Sequence, residues 1–322
     1  MRKISILLAM LLLVGIAAAE SAFAAEKKYH EIRIPENAAP TNLYTPYLAD
    51  ELGFFEEEGI KPIFVGVVPS GQFVASVVAG TTDVGTLHVN RAIAAIAAGA
   101  KIKCVVAGSV TTQEYPHMSY AVLEDSPIRK AEDLVGKKIG IISMGGCNES
   151  TVNEWYAKNT GENHKGKFDF VLVPTGNEEV VLRNGEVDVV GFHGIPHDVF
   201  ERGGIRTLFT DYDVWGELGG ATPFYVREDF IARNPDAIKG FVTAMARANN
   251  WFPGHEKEAL EIQAKRRKVE PIQVTVKWWE KDGIITPESI QLWVDLLLKY
   301  GDIKVSVPLE KIYTNEFNRF AK

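Results

Sequence analysis

Short apolar runs alternate with amphipathic or small-residue stretches along almost the whole chain. "EIRIP" and "KPIFVGVV" read as strands, and between them "TNLYTPYLADELGFFEEEG" carries a helix ending near Gly53. "PSGQFVASVVAG" predicts a turn into a helix closed by Gly80, and "TDVGTL" a third short strand. "NRAIAAIAAGA" predicts a helix ending at Gly99, and "KIKCVVAGSV" a fourth strand. Strand–helix alternation of this kind specifies an α/β fold with mostly parallel, doubly wound sheets covered on both faces.

A second series follows. "SYAVLEDSPI" reads as extended, with a break at Pro127, and "KAEDLVGKKIGIIS" as a short helix, a turn at Gly136 and a buried strand. "STVNEWYAKNTG" and "NEEVVLRNG" are helical; "FDFVLVP", "VDVVGFHG" and "GIRTLFT" are strands. "ATPFYVREDFIARNPDAIKGFVTAMARANNWF" returns through a strand into a long helix, and the remainder reads as helical to the C-terminus. "VVAGTTDVGTLH" and "VLRNGEVDVVGFHG" share one step: a helix end, a Gly turn, Asp-Val, and a short strand closing near a histidine. Open α/β sheets bind ligands beyond the carboxyl ends of their strands. Two facing lobes would therefore bring both histidine loops to one cleft.

Five loops supply the candidate site: Asn42 and Leu43; Ser70, Gly71 and Gln72; Thr86 and His88; Gly145, Gly146, Cys147 and Asn148; and His193 with Gly194. Several of them open helices, whose unpaired N–H groups suit anions and polar acceptors. In "ISMGGCNEST" the two glycines let the backbone approach a ligand while Cys147 and Asn148 line the wall. A nucleophilic Cys147 is the competing reading, but the chain offers no ordered base and orienter for it. A zinc site from His88, Cys147 and His193 is a chemically sound alternative. His193 and His197 have i, i+4 spacing, yet Gly194 and Pro196 between them oppose a regular helix. His117, His164 and His255 read as loop or surface-helix residues and receive no role. No catalytic residue, metal ligand or cofactor is assigned. "KWWE" (Trp278, Trp279) reads as packing a C-terminal helix onto the first lobe, and Ala264 to Glu270 as a solvated charge run.

Composition narrows the setting. Arg2 and Lys3 precede 16 apolar residues, Ile4 to Ala19, and Ala22-Phe23-Ala24 matches an A-x-A cleavage signal. The apolar stretch falls short of the ~20 residues that span a bilayer, so residues 1–24 read as a secretory signal peptide. Removing Arg2, Lys3 and Glu20 leaves 33 basic and 41 acidic residues, a net charge of −8. That balance argues against a nucleic-acid partner, although a local pocket can still hold an anion. Cys104 and Cys147 do not form a disulfide framework. No G-x-x-x-x-G-K-[ST] loop occurs, so the chain does not read as an ATPase. A mature chain of this length suggests two lobes.

"PYLADELGFFEEEGIKP", "PSGQFVASVVAGTTDVG", "AIAAGAKIKCVVAG" and "SPIRKAEDLVGKKIGI", in that order, resemble the solute-binding proteins of ABC importers for nitrate, taurine, aliphatic sulfonates and thiamine pyrimidine precursors. "ARNPDAIKGFVTAMARA" fits the late helix of the same family. The resemblance implies a two-lobe, type II periplasmic-binding-protein fold, with lobe I at 25–124 and 222–322 and lobe II at 125–221. It places the two crossovers near Tyr120–Leu123 and Thr222–Tyr225. It also implies a monomeric, non-enzymatic periplasmic protein that closes on a small polar, anionic solute and docks on an ABC permease driven by a separate ATPase. The chain departs from sulfonate binders of this family at "GGCNES", where they carry a Ser-rich turn. It departs again at Gly194-Ile195-Pro196, where they carry a Trp-acid-Pro step, and His88 stands at a family glycine. These departures point to a pocket of different shape, with Arg91 the nearest cation. Cytosolic enzymes that make the thiamine pyrimidine share the superfamily, but their cysteine-rich iron motif is absent here.

Overall fold

The computed structural model describes residues 29–321; the expected signal segment 1–24 lies outside the described residues. In chain order the strands are β1 (His30–Glu36), β2 (Ile60–Val67), β3 (Val84–Thr86), β4 (Ile102–Val106), β5 (Ser109–Val110), β6 (Ser119–Leu123), β7 (Lys138–Ile141), β8 (Asp169–Leu172), β9 (Val189–Phe192), β10 (Ile205–Thr210), β11 (Phe224–Arg227) and β12 (Trp278–Trp279). The longer helices that shape the cleft are α1 (Thr45–Glu51), α2 (Phe73–Ala79), α3 (Val89–Ala97), α4 (Cys147–Thr160), α5 (Pro235–Trp251), α6 (Glu256–Arg267) and α7 (Pro287–Tyr300).

Two α/β halves result. In one, β1 and β2 pair in parallel, and β3 and β4 flank β11. The Asp83 N–H donates to the Arg33 carbonyl at 2.9 Å and ties β1 to the start of β3. In the other, five strands lie in the order β10-β6-β9-β7-β8. Within each sheet the strands run the same way except for one, β11 in the first and β6 in the second, each antiparallel to both neighbours. Each reversed strand is the first that the chain lays down after crossing between the halves. The mostly parallel, two-lobed α/β architecture expected from the strand–helix alternation is therefore the one observed.

The first crossing lies earlier than the expected Tyr120–Leu123, because those residues form β6 inside the second sheet. The chain instead crosses just after β5, where Val110 bridges Ala221 in antiparallel fashion. The Thr222 N–H donates to Ser109 O at 3.1 Å, so the two crossings lie side by side. Gly108 is required here, since a Cβ at this position would fall on the Thr222 carbonyl oxygen.

Sequence chemistry explains the helices that frame the cleft. Pro235 opens α5, where its missing N–H costs nothing, and Ile238, Phe241, Val242 and Met245 turn one face into the core of the first half. α7 likewise begins with Pro287 and stops at Gly301, whose φ of +80° is the left-handed conformation that favours glycine. The predicted first helix is split at Gly53 into α1 and a single turn, Phe54–Glu57.

Three expectations fail in the C-terminal region. Trp278 and Trp279 form β12 against β5 rather than packing a helix, because the chain is extended there and Trp279 fills the core of the first half. Beyond Gly301 only Leu309–Ile312 returns to α-helix. Nor is the basic run a plain solvated face: Arg266 meets Asp50 at 2.6 Å and lies 4.5 Å from the Tyr47 ring centre and 4.3 Å from that of Phe64.

Candidate functional site

Between the two halves lies a cavity of about 440 Å³. Of the residues expected at the site, it is walled by Asn42, Leu43, Gly71, Thr86, His88, Gly146, Cys147 and His193. Gln72 is exposed beside it. Ser70 opens the single 3-10 turn Ser70–Gln72, and its side chain lies outside the described residues. The Gly145 carbonyl accepts from Asn90 Nδ2 at 3.4 Å. Asn148 is turned inward, with its backbone carbonyl accepting from the Tyr120 hydroxyl at 2.5 Å. Gly194, at φ +95°, passes its carbonyl to the Ser119 hydroxyl at 2.5 Å.

The floor of the cavity gathers four side chains that sequence spacing could not relate. Cys147 is the first residue of α4, and its Sγ lies 3.6 Å from His117 Nε2 and 3.7 Å from His193 Nε2. His88, just after β3, packs its ring 5.1 Å from that of His117. His88, His117 and Cys147 are each about 5–6% exposed. His88 Nε2 donates to the Gly219 carbonyl at 3.0 Å, which fixes the proton on Nε2; the Asn90 side chain lies near the ring, but Nδ1 is buried without a hydrogen-bond partner. The edge of Trp293, 4.1 Å away between ring centres, holds the His88 ring in that orientation.

His117 corrects the sequence reading most sharply. It lies in a loop as expected, but buried, and it belongs to the site. The signal was the polarity of the strand that follows it. β6 runs against its neighbours, so its beginning, not its end, lies with the carboxyl ends of β7 and β9. The loop is pinned by Asp211, which accepts from the Thr111 hydroxyl and from the Met118 N–H at 3.0 Å; Thr111 Oγ1 in turn accepts from the His117 N–H at 3.1 Å.

Lys277 was also missed. Its Nζ donates to the His193 carbonyl at 2.6 Å and lines the cavity. Arg91, at the start of α3, reaches across the cleft to Ser143 Oγ at 3.1 Å and the Met144 carbonyl at 2.6 Å. Among the described residues neither cation meets a carboxylate at ion-pair distance.

Burial dominates the electrostatics. It pushes His88 down to about 4, His193 to about 3 and His117 well below the ordinary histidine range, so all three imidazoles are neutral at pH 7. Burial also raises the Cys147 thiol to about 12, against the pull of Arg91 and Lys277. A neutral thiol is a poor nucleophile, so a helix N-terminus alone does not activate it here. Lys277 falls to about 8, again chiefly by burial, with Asp211 and Cys147 opposing. Asp211 rises to about 6.

Residues 41–259 match the family model described as NMT1/THI5 like. The chain belongs to that family. Among curated relatives, the family chain is 25% identical over 239 residues to the 4-amino-5-hydroxymethyl-2-methylpyrimidine phosphate synthase of Legionella pneumophila, covering 72% of this chain and 73% of that protein. Among solved structures it resembles the alkanesulfonate-binding protein of Xanthomonas axonopodis pv. citri bound to MOPS, with a TM-score of 0.71, 17% identity, and 89% and 99% of the two chains covered. It also resembles the periplasmic nitrate-binding protein of Synechocystis PCC 6803, with a TM-score of 0.71, 15% identity, and 91% and 88% coverage. These likenesses establish the two-lobe fold. Among the described residues no helix is long and apolar enough to cross a membrane.

Proposed function

We propose that the protein is the extracytoplasmic solute-binding component of an ABC importer, and that its solute is a small, polar, anionic organic molecule. The observation that carries this reading is the interlobe cavity, sized for a small ligand and lined by two cations, Lys277 and Arg91, that lack carboxylate partners among the described residues. An anion would supply the missing charge. The sulfonate- and nitrate-binding proteins of the same fold support the class of solute, and the chain acts here as a carrier, not as a catalyst. The lobes in this reading are 29–110 with 222–321, and 111–221, hinged at the paired crossings and closing on the solute before delivery to a membrane permease.

The test is a thermal-shift screen of the mature, chelator-treated protein with taurine, alkyl sulfonates, nitrate, thiamine pyrimidine precursors and amino acids. A ligand at a hundred times its Kd adds about 2.7 kcal/mol of stability, on the order of 5 °C for a chain of this size. Gly146→Val should abolish the shift while leaving the fold intact. Its backbone, at φ −115° and ψ 179°, is one that valine adopts readily, but a Cβ would already sit 3.2 Å from Arg91 Nη2 and from Ser143 Oγ. A shift that survives Gly146→Val, or the absence of a shift with every anion, would sink the reading.

A further inference from the structure

The same cavity floor holds a donor set that anion binding does not use. We infer that His88, His117, His193 and Cys147 form a binding site for a borderline-soft divalent ion, best matched by Zn²⁺, and that this ion joins the two halves of the cleft.

The two sulfur–nitrogen separations already match those of a tetrahedral site, and a small closing movement would bring His88 and His193 to the same ion. An ion with bonds of about 2.3 Å to sulfur and 2.0–2.1 Å to nitrogen, at tetrahedral angles, sets each sulfur–nitrogen separation at about 3.6 Å. The observed separations from Cys147 Sγ are 3.6 Å to His117 and 3.7 Å to His193. The ligating atoms of His88, His117 and Cys147 all lie within 4.8 Å of one another. A thiol has one proton to give, here within reach of Met118 Sδ as well as of the two imidazoles, whereas one cation can accept a lone pair from each of the four donors.

A second, independent observation is the unpaired nitrogen. His88 Nδ1 is buried with no hydrogen-bond partner, and its other nitrogen is held by Gly219 O. A backbone carbonyl on the far nitrogen is the arrangement that orients a metal-ligating histidine. The donors exclude hard cations, because Mg²⁺ and Ca²⁺ need oxygen ligands and none of the four side chains supplies one. Three nitrogens and one sulfur suit zinc. On binding, the thiol proton leaves to solvent as the zinc–sulfur bond forms, and nothing is oxidised or reduced. The ion with its thiolate carries one net positive charge, and all four donors line the cavity.

The donors come from both sides of the crossings. His88 follows β3 in the first half, while Cys147 and His193 follow β7 and β9 in the second. An ion that needs both sides binds the closed form and shifts the population towards it. This inference does not depend on the identity of the solute, since the donors stand together whichever molecule the cleft takes.

The experiment titrates the chelator-stripped mature protein with Zn²⁺ alone and with Co²⁺ alone, and counts bound metal by inductively coupled plasma mass spectrometry after gel filtration. The expected result is one equivalent per chain, with Co²⁺ giving the intense visible bands of a four-coordinate ion and a thiolate charge-transfer band. Cys147→Ser should remove the charge-transfer band, and His88→Gln should weaken affinity about tenfold or more. His193→Gln, at a half-buried position, repeats the test where a buried substitution fails to fold, with circular dichroism checking each variant. Failure to retain metal, or one equivalent retained with cobalt spectra unchanged by these substitutions, would overturn the site. Neither result bears on the solute screen, which is read on stripped protein.

Discussion

Gly108 sits where backbone meets backbone, and so it bears a cost that no side-chain rotation can relieve. A methyl group there would fall on Thr222 O, at the place where the chain returns between the lobes. Gly108→Ala should destabilise the protein by about 1–3 kcal/mol, as overpacking of a tight contact does, visible as a lower urea midpoint. An unchanged midpoint would mean that the crossings part freely. Residue-scale reading of the sequence found His88, Cys147 and His193, because each follows a strand in the direction that the chain announces. It missed His117 and Lys277 for one reason: both reach the floor from segments whose orientation depends on long-range pairing. Composition could not show that Lys277 lies buried against the His193 carbonyl, nor that Asp211 pins the loop of His117.

Among elements, α3 and the turn before α4 make the most informative contact. Arg91 leaves the first half and binds Ser143 and Met144 in the second without help from any solute. Charge-assisted hydrogen bonds of this kind contribute about 1.5–3 kcal/mol. Arg91→Ala should therefore open the ligand-free protein, read by small-angle X-ray scattering as a larger radius of gyration. An unchanged radius would show that other contacts hold the halves together. One of those is Glu154 on α4, which accepts from Lys299 and Tyr300 at the end of α7. Strands and helices were readable from periodicity almost everywhere except beyond Gly301 and at β12, where two tryptophans in an extended pair look the same on paper as two on a helix. The extension is dictated by β5, 168 residues earlier when Val110 is matched to Trp278, and no local pattern carries that information.

At the scale of the molecule, the alternation of strand and helix was enough to name two α/β lobes, since each βαβ step is local. The position of the hinge was not local. It depends on β6 reversing into the second sheet, which moves the first crossing from the expected Tyr120–Leu123 to the end of β5. That shift places Tyr115 immediately beyond the crossing, with its ring stacked on Trp278 at 5.5 Å between centres and 8° between planes. Trp278 belongs to β12, paired with β5 on the opposite side of the same crossing. The pair is a built-in optical gauge: rotation of one lobe against the other must slide one ring over the other. Intrinsic emission of the unmodified protein should change as the cleft closes, and Tyr115→Leu should silence that change while ligand affinity stays the same. Signal retained in Tyr115→Leu would assign the reporter to another tryptophan. A protein read in this way needs no dye, and its capture of a solute can be timed as it happens.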